Sequence, residues 1–197
     1  MDIKKLKFAN KLFINGKWTN GIKGKSFEVI NPADESVLTR VEEATTEDVD
    51  VAVKAAREAF ESGPWSRMNP SDRQRCIYRL ADLVEKHADE LATIESLDNG
   101  KPKHIALAAD VNLSHRCYRY YAGWVDKIVG STMNADGPFF AYTTKEPVGV
   151  VGQIIPWNFP MLMQAWKLAP ALAAGCTIVM KTAEQTPLSA LRIAQLI

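Results

Sequence analysis

The chain has 197 residues, of which 24 are Lys or Arg and 23 are Asp or Glu, so its formal net charge is +1. This balance provides no basic excess that would favour nucleic acid or an anionic membrane surface as a partner. The hydrophobic content of 47% suffices for a packed core, but every apolar run is far shorter than the roughly 18 residues that a transmembrane helix needs.

The first 32 residues predict β structure and a cytoplasmic location. The amino terminus has lysines, but it has neither an apolar stretch of signal-peptide length nor an arginine before Arg40. A secretory signal and an Arg-rich mitochondrial transit peptide are therefore both disfavoured. Asn15-Gly16, between the short apolar segments of residues 11–18, is typical of a tight β-hairpin. Residues 27–30 continue in β character until Asn31-Pro32 interrupts them.

Three helices are predicted over residues 46–124. The first begins near Thr46, with acidic residues in its first turn, and ends at residues 62–64. The second begins with a capping box from Ser71 to Gln74 and ends at residues 98–100. The third runs from about residue 103 to 124. Their apolar stripes at helical spacing are, in order, Val49, Ala52, Val53, Ala56 and Phe60; Ile77, Leu80, Ala81, Val84 and Leu91; and Ile105, Ala109, Leu113, Cys117 and Tyr120.

The histidines and cysteines predict no chemistry of their own. The three histidines are far apart in sequence and without evident partners, so structural or solvent-facing roles are favoured. They are His87, His104 and His115. The three cysteines form no CxxC pair and no histidine has zinc-ligand spacing to them, so no metal site is predicted and a reducing compartment is the simplest interpretation. They are Cys76, Cys117 and Cys176.

Residues 147–187 predict a βαβ unit, around which the rest of the chain is organised. The apolar run of residues 148–155 is typical of a strand buried on both faces of a parallel sheet. A turn at residues 156–160 precedes a helix over residues 161–174, which Gly175 closes. A second parallel strand over residues 177–180 stops at Lys181, and Thr186-Pro187 caps and begins the next helix.

The predicted fold class is therefore α/β, with a parallel sheet and flanking helices. Ligands of open α/β sheets bind beyond the carboxyl ends of the strands. Two polar clusters lie at those ends, Trp157-Asn158 and residues 181–184. No GxGxxG sequence is present, so a Rossmann glycine fingerprint does not support this prediction.

Several motifs together resemble one known family. IIPWNFP and MKTAEQTP, preceded by FINGKW, VINPA, YYAGW and EPVGV, resemble the aldehyde dehydrogenase superfamily, in the NAD-dependent branch that oxidises acetaldehyde, retinal and similar substrates. The likeness covers nearly the whole chain. It implies a partial Rossmann-like sheet and an amino-terminal fragment that ends inside a helix, with the nucleophilic cysteine, the general-base glutamate and the pyrophosphate-binding glycine turn all beyond Ile197.

The resemblance also implies how the chain is divided. Residues 1–124 and 148–197 correspond to part of an NAD-binding domain, and the catalytic domain is absent. Residues 125–147 correspond to a linker and an inserted β arm that joins a neighbouring subunit, so the full-length protein is expected to be a homo-oligomer, a tetramer or a dimer. From the residues alone, this segment has β propensity over residues 139–145 and an exposed edge that needs covering.

Asn158 is the candidate catalytic residue. Its side chain suits a helix N-cap before Pro160. The family resemblance implies instead an oxyanion donor, because a neutral amide N–H stabilises the negative oxygen that forms when a thiolate attacks an aldehyde. Both roles are compatible with the spacing, and the match of the whole IIPWNFP motif favours the oxyanion donor.

The resemblance assigns NAD contacts to the two strand ends. The candidate residues are Ile155, Pro156, Trp157, Asn158, Lys181, Thr182, Ala183 and Glu184. The Lys181 cation can contact ribose hydroxyls or phosphate. Glu184 can accept a hydrogen bond from a ribose 2′-OH, and its negative charge would repel a 2′-phosphate, which favours NAD over NADP. A solvent-exposed Lys181–Glu184 ion pair without a ligand is the alternative. Thr182 replaces the proline or valine of many relatives and leaves both groups in place.

Phe159, Met163 and Trp166 are the candidate substrate contacts. Their helical spacing suits core packing, and the resemblance implies the wall of an apolar aldehyde tunnel. Cys176 begins the second strand at the end opposite the crevice, so it is predicted to be a core residue. The expected function is NAD-dependent aldehyde oxidation by the full-length enzyme, with this fragment inactive by itself. A truncated, non-catalytic module with weak nucleotide binding and a plain nucleotide-binding α/β domain are the alternatives.

Overall fold

The computed structural model describes residues 6–197, and its first part consists of two antiparallel hairpins. The strands are β1 (Leu12–Ile14), β2 (Lys17–Thr19), β3 (Ser26–Ile30) and β4 (Val37–Glu42). The predicted β1–β2 hairpin is confirmed: Asn15 and Gly16 have φ of 51° and 71°, the left-handed pair that a two-residue turn requires. The predicted strand at residues 27–30 is also confirmed, and it pairs with β4.

The first predicted helix is confirmed as α1 (Thr46–Glu61), although its apolar stripe is only partly right. Ala56 is buried, but Val49 and Val53 are 47% and 41% exposed. The Thr45 backbone N–H donates to the Asp48 carboxylate at 2.8 Å, so the capping residues lie one position earlier than the predicted start.

The second predicted helix is two helices, α2 (Pro70–Lys86) and α3 (Ala88–Asn99). The helix breaks at His87, whose backbone leaves the α region at φ −97° and ψ 19°. The predicted Ser71–Gln74 capping box is wrong, because Pro70 already occupies the first turn, where its missing N–H removes no hydrogen bond. Gly100, with φ +82°, closes α3 as predicted.

The third predicted helix exists but contains a π-helical stretch, and its predicted stripe is mostly wrong, although Cys117 is half-buried and packs against the core. It comprises α4 (Lys103–Ile105), the π-helical stretch (Ala106–Val111) and α5 (Asn112–Ala122). Ile105, Leu113 and Tyr120 are 43%, 42% and 60% exposed. The wider π turn shifts the helical phase, so the buried positions are Ala106, Asp110, Val111, Ser114, Tyr118 and Ala122.

The βαβ unit is confirmed, with a difference in burial. Its elements are β7 (Val150–Ile154), α6 (Pro160–Ala173), β8 (Thr177–Lys181) and α7 (Leu188–Ala194). Strands β7 and β8 are parallel. Gly175, with φ +90°, closes α6, and the Cys176 N–H donates to the Ala171 carbonyl at 3.0 Å, as in a Schellman motif.

Burial of the first strand on both faces is a wrong prediction within residues 6–197. The parallel sheet there has two strands, and α1 and α6 pack against it. Val148 and Ile154 therefore remain 86% and 72% exposed. The last helix ends at Ala194 and not at the final residue.

The main core lies where α2, α5 and α6 pack together. Its fully buried side chains include Ile77, Val84, Leu91, Val111, Tyr118, Met161 and Ile193. A smaller cluster joins the second hairpin to α3 and α7 through Val29, Val41, Ile94 and Leu188. Among residues 6–197, no helix has both the length and the apolar character needed to cross a membrane.

The segment between Ala122 and Val150 forms a short antiparallel hairpin, β5 (Thr132–Met133) and β6 (Ala141–Tyr142). Its aromatic residues are open to solvent: Phe139, Phe140 and Tyr142 are 75%, 78% and 62% exposed. The predicted β character and exposed edge of this segment are confirmed.

Candidate functional site

The two polar clusters lie beside each other at the carboxyl ends of the parallel strands. Ile154 pairs with Lys181 in the register, and the Ile155 N–H donates to the Lys181 carbonyl at 2.9 Å. The turn after β7 and the loop after β8 therefore begin at the same edge of the sheet. This is where open α/β folds bind ligands.

Asn158 lies on the first of these turns, and its side chain does not cap the following helix. The N-cap position of α6 is Phe159, and no side-chain hydrogen bond is made there. Asn158 itself is exposed. The capping role is therefore wrong, and the amide remains available to a ligand.

The neighbours of Asn158 are divided between buried and exposed positions. Ile155 is 2% exposed, whereas Trp157 is 61% exposed and Pro156 also faces solvent. Pro156 and Trp157 therefore leave an exposed apolar surface beside the sheet edge, while Ile155 packs in the interior. Such a surface suits the flat face of a ring.

Lys181 and Glu184 form an ion pair at the end of β8 and the start of the loop that follows it. The Lys181 Nζ lies 2.6 Å from the Glu184 Oε1, and both side chains are more than half exposed. The hydrogen bond from Lys181 lowers the pKa of Glu184, so the carboxylate is ionised at neutral pH. Thr182 and Ala183, between them, are half-buried and buried. The predicted ion pair thus exists, and it stands at the edge where a ligand would bind.

Phe159, Met163 and Trp166 lie outside the buried core. Phe159 and Met163 are half-buried and Trp166 is 51% exposed. The core face of α6 consists instead of Met161, Ala165, Leu168, Ala169 and Ala173. Core packing is therefore the wrong interpretation of Trp166, and the three side chains border solvent-accessible space.

A polar group that the sequence did not predict lies beneath the Asn158 turn. The Lys101 Nζ contacts both Asp110 carboxylate oxygens, at 2.7 and 2.9 Å, and lies 3.4 Å from the Asn158 carbonyl oxygen. It also lies 3.8 Å from the centre of the Phe159 ring. Asn99 donates from Nδ2 to the Trp157 carbonyl at 2.8 Å.

Glu95 completes this polar group from α3. Its side chain is buried, and Oε1 accepts from the Met161 N–H at 3.3 Å, in the first turn of α6. Burial, and secondarily the charge of Asp110, raise the pKa of Glu95 well above its usual range, although a hydrogen bond from Ser189 opposes the shift. The two carboxyl groups and Lys101 therefore form a buried cluster directly under the turn.

A cleft of about 630 Å³ lies next to the same turn. It is bordered by β3, by Trp157 and by the loop after β8, and Asp98 lies at its wall. The Asp98 Oδ2 accepts from the Leu188 N–H at 2.7 Å and so caps α7, a role that the sequence had assigned to Thr186. Burial raises the pKa of Asp98 to about 7.

The cysteines and histidines differ in how well they were predicted. Cys176 is 3% exposed, as predicted for a core residue. Burial raises the pKa of Cys117 to about 11, which keeps it a thiol. The prediction that the histidines lack partners is wrong for His87, whose Nδ1 lies 2.9 Å from Glu90 and 3.3 Å from Arg192. It is also wrong for His115, whose Nε2 lies 3.0 Å from the Asn112 Oδ1.

Known proteins match this chain closely. The model of the aldehyde dehydrogenase family matches residues 18–197. Mitochondrial aldehyde dehydrogenase of Rattus norvegicus is 56% identical over 191 residues, which are 96% of this chain and 37% of the relative. An aldehyde dehydrogenase of Emericella nidulans is 59% identical over 186 residues, 94% of this chain and 37% of the relative.

The solved structures give the same result. The NAD+ complex of an aldehyde dehydrogenase from Bacillus cereus superposes with a TM-score of 0.93 at 58% identity, over 95% of this chain and 38% of that one. The chain thus spans a little more than a third of the length of these relatives. The rat relative is named a mitochondrial protein, and the cytoplasmic location predicted for this chain stays a prediction.

Proposed function

Because the chain belongs to the aldehyde dehydrogenase family, we propose that the full-length protein oxidises aldehydes to carboxylic acids with NAD. In this proposal the chain contributes NAD contacts and the amide of Asn158 as an oxyanion donor. The observation that carries the proposal is the position of the uncapped Asn158 side chain beside the Lys181–Glu184 pair, at the ends of two adjacent parallel strands.

The groups at these strand ends fit NAD chemically. Glu184 is an ionised acceptor for ribose hydroxyls, and Lys181 is a donor 2.6 Å away, so the two can bind neighbouring hydroxyls of one ribose. The negative charge of Glu184 disfavours the 2′-phosphate of NADP. We assign further contacts to Ile155, Pro156, Trp157, Asn158, Thr182 and Ala183, which line the same edge. NAD, when bound, supplies the two-electron oxidant.

Asn158 acts on the carbonyl oxygen of the aldehyde. When a thiolate adds to the carbonyl carbon, the oxygen gains negative charge, and the Asn158 Nδ2–H donates to it. A preorganised donor of this kind stabilises the transition state by about 2.7–4 kcal/mol. None of the cysteines in residues 6–197 suits the nucleophile, because Cys117 stays protonated, Cys176 is buried and Cys76 lies on α2, outside the strand-end site.

The substrate and the oligomeric state are further parts of this proposal. Phe159, Met163 and Trp166 provide an apolar wall, which favours aldehydes with apolar substituents. The exposed aromatic residues of the β5–β6 hairpin, within the proposed linker and arm of residues 125–147, favour association with a second copy of the chain. The remainder, residues 1–124 and 148–197, would be part of the NAD-binding domain.

The test is NAD binding and aldehyde turnover by the full-length protein. We expect NAD to bind, by calorimetry, more tightly than NADP, and NADH to form only when an aldehyde is added. NAD binding without aldehyde-dependent NADH formation would support a nucleotide-binding module instead. Failure to bind either dinucleotide would refute the proposed role of the strand ends.

A further inference from the structure

We propose that Lys101 and Asn99 are positioning residues that fix the backbone of the 157–159 turn, and thereby aim the Asn158 amide. The catalytic consequence of this inference rests on the proposed function, whereas the conformational consequence does not. Neither residue is placed among the groups that touch NAD or the aldehyde. Asn99 is the last residue of α3, and Lys101 lies in the loop of residues 100–102, which connects α3 to α4.

Lys101 holds the turn through two different contacts. Its ammonium lies 3.4 Å from the Asn158 carbonyl oxygen and 3.8 Å from the centre of the Phe159 ring. The first contact fixes the peptide that follows Asn158, and the second is a cation–π contact with the next side chain. Both contacts restrict the chain on the carboxyl side of the Asn158 Cα, from which the amide side chain projects.

The position of Lys101 is itself fixed by the buried Asp110. The Asp110 carboxylate is fully buried and contacts Nζ with both oxygens, and the Lys101 side chain is only 13% exposed. Asp110 belongs to the π-helical stretch, which turns it toward the core. Because the ammonium is nearly removed from water and paired bidentately, it has little freedom to leave the turn.

Asn99 adds a second fixed point one peptide earlier. It donates from Nδ2 to the Trp157 carbonyl at 2.8 Å. Gly100 follows with φ +82°, where a Cβ would approach the Pro32 side chain to 2.8 Å. The glycine therefore lets the chain leave α3 sharply enough for Asn99 and Lys101 to reach successive carbonyls of the same turn.

Glu95 extends the support to the helix that follows the turn. Its Oε1 accepts from the Met161 N–H, just after Pro160. The turn is therefore held by backbone contacts at residues 157, 158 and 161, all made by side chains from residues 95–101. None of these contacts uses the Asn158 side chain, which is exposed.

The first measurement follows the turn without using activity. Full-length protein labelled with 5-fluorotryptophan gives a Trp157 ¹⁹F resonance, which Trp157→Phe assigns. We expect Lys101→Met and Asn99→Ala to shift or broaden this resonance. Lys103→Met is the matched control, because Lys103 pairs with the exposed Asp89 at 2.6 Å, away from the turn, and it should leave the resonance unchanged. An unchanged resonance in both test variants would overturn the proposal. If Lys101→Met does not fold, Asn99→Ala alone decides.

The second measurement is a double-mutant cycle on aldehyde oxidation. Lys101→Met should lower kcat by about tenfold or more while the Kd of NAD changes less than about threefold, since small misplacements of a reacting group have large kinetic effects. Lys101→Arg, which keeps the cation, should recover most of kcat. In an Asn158→Ala background, Lys101→Met should have little further effect.

The two measurements separate the two hypotheses. An equal loss from Lys101→Met with and without Asn158 would show that Lys101 does not act through this amide, and would refute the catalytic half. A wild-type protein that binds and oxidises no aldehyde would refute the proposed function, while the ¹⁹F comparison would still decide whether Asn99 and Lys101 fix the turn.

Discussion

Replacement of Asn158 separates catalysis from stability, because the structure gives its side chain no other role. The amide makes no cap on α6 and is exposed. Loss of a true N-cap costs about 0.5–2 kcal/mol of stability, whereas an exposed side chain without such a role changes it by no more than about 0.5 kcal/mol. We therefore expect Asn158→Ala to leave the unfolding free energy of the full-length protein nearly unchanged.

The expected kinetic effect is much larger. Loss of an oxyanion donor worth about 2.7–4 kcal/mol corresponds to about a hundredfold to a thousandfold lower rate of acylation, at roughly 1.4 kcal/mol per factor of ten. Single-turnover NADH formation measures this step, and calorimetry with NAD should show little change in Kd. Asn158→Asp is a stricter test than Asn158→Ala, because it keeps the shape of the side chain, removes the N–H donors and adds a negative charge that repels the developing oxyanion.

Two results would contradict this reasoning. Turnover that falls only a few-fold in both variants would show that Asn158 donates no important hydrogen bond to the developing oxyanion. A loss of unfolding free energy near 1 kcal/mol, with little kinetic change, would show that the side chain caps α6 in solution.

Three further outcomes follow from the same geometry. Glu184→Gln should lower the preference for NAD over NADP by about tenfold, or ~1.4 kcal/mol, as measured by kcat/KM for both cofactors, and an unchanged ratio would contradict the assignment of Glu184. Because the folded-state pKa of Glu95 is raised from 4.5 to about 8, the folded state binds the extra proton between these values, so stability should fall as pH rises through this window. Burial also raises the pKa of Asp98 to about 7, so Glu95→Gln should flatten only part of that slope in urea unfolding at pH 5 and pH 8, and an unaltered slope would show that Glu95 does not contribute to it. The polypeptide of residues 1–197 should form no NADH from aldehyde, because none of its cysteines suits the role of nucleophile, and turnover that is lost on Cys176→Ser would contradict this. The same polypeptide should self-associate on size-exclusion chromatography, because Val148, Ile154 and Phe140 are exposed. A cooperatively folding monomer would contradict this second expectation.

The elements that the sequence predicted correctly are those fixed by local chemistry. Asn15-Gly16 adopts the left-handed turn that few other pairs tolerate, and Gly175 ends α6 with positive φ. The parallel strands, the helix between them and the polar residues at their carboxyl ends also follow from short patterns. The fold class and the strand-end position of Asn158, Lys181 and Glu184 therefore required no knowledge of tertiary contacts.

The errors lie where tertiary contacts decide. Nothing in the apolar pattern marks the break at His87, where the neighbouring Glu90 and Arg192 of the distant helix α7 contact the imidazole. The residues beneath the Asn158 turn were missed for a similar reason. The sequence marks residues 98–100 only as a helix end, and the hydrogen bond from Asn99 to Trp157 spans 58 positions. A polar helix end followed by a lysine was the one available signal.

The π-helical stretch connects the largest error in the fold to the least expected part of the site. An uninterrupted α-helix over residues 103–122 would bury the predicted stripe of Ile105, Ala109 and Leu113, which would leave Asp110 off the core face. The π-helical stretch changes this phase, so Asp110 is fully buried and Ile105 and Leu113 are exposed. Burial of a carboxylate is unfavourable unless a cation pairs with it, and Lys101 supplies that cation while contacting the Asn158 carbonyl. An irregular helix and a buried charge pair are each unfavourable when considered alone. Together they place an ammonium group under the turn that carries the proposed oxyanion donor, which gives a physical reason for both.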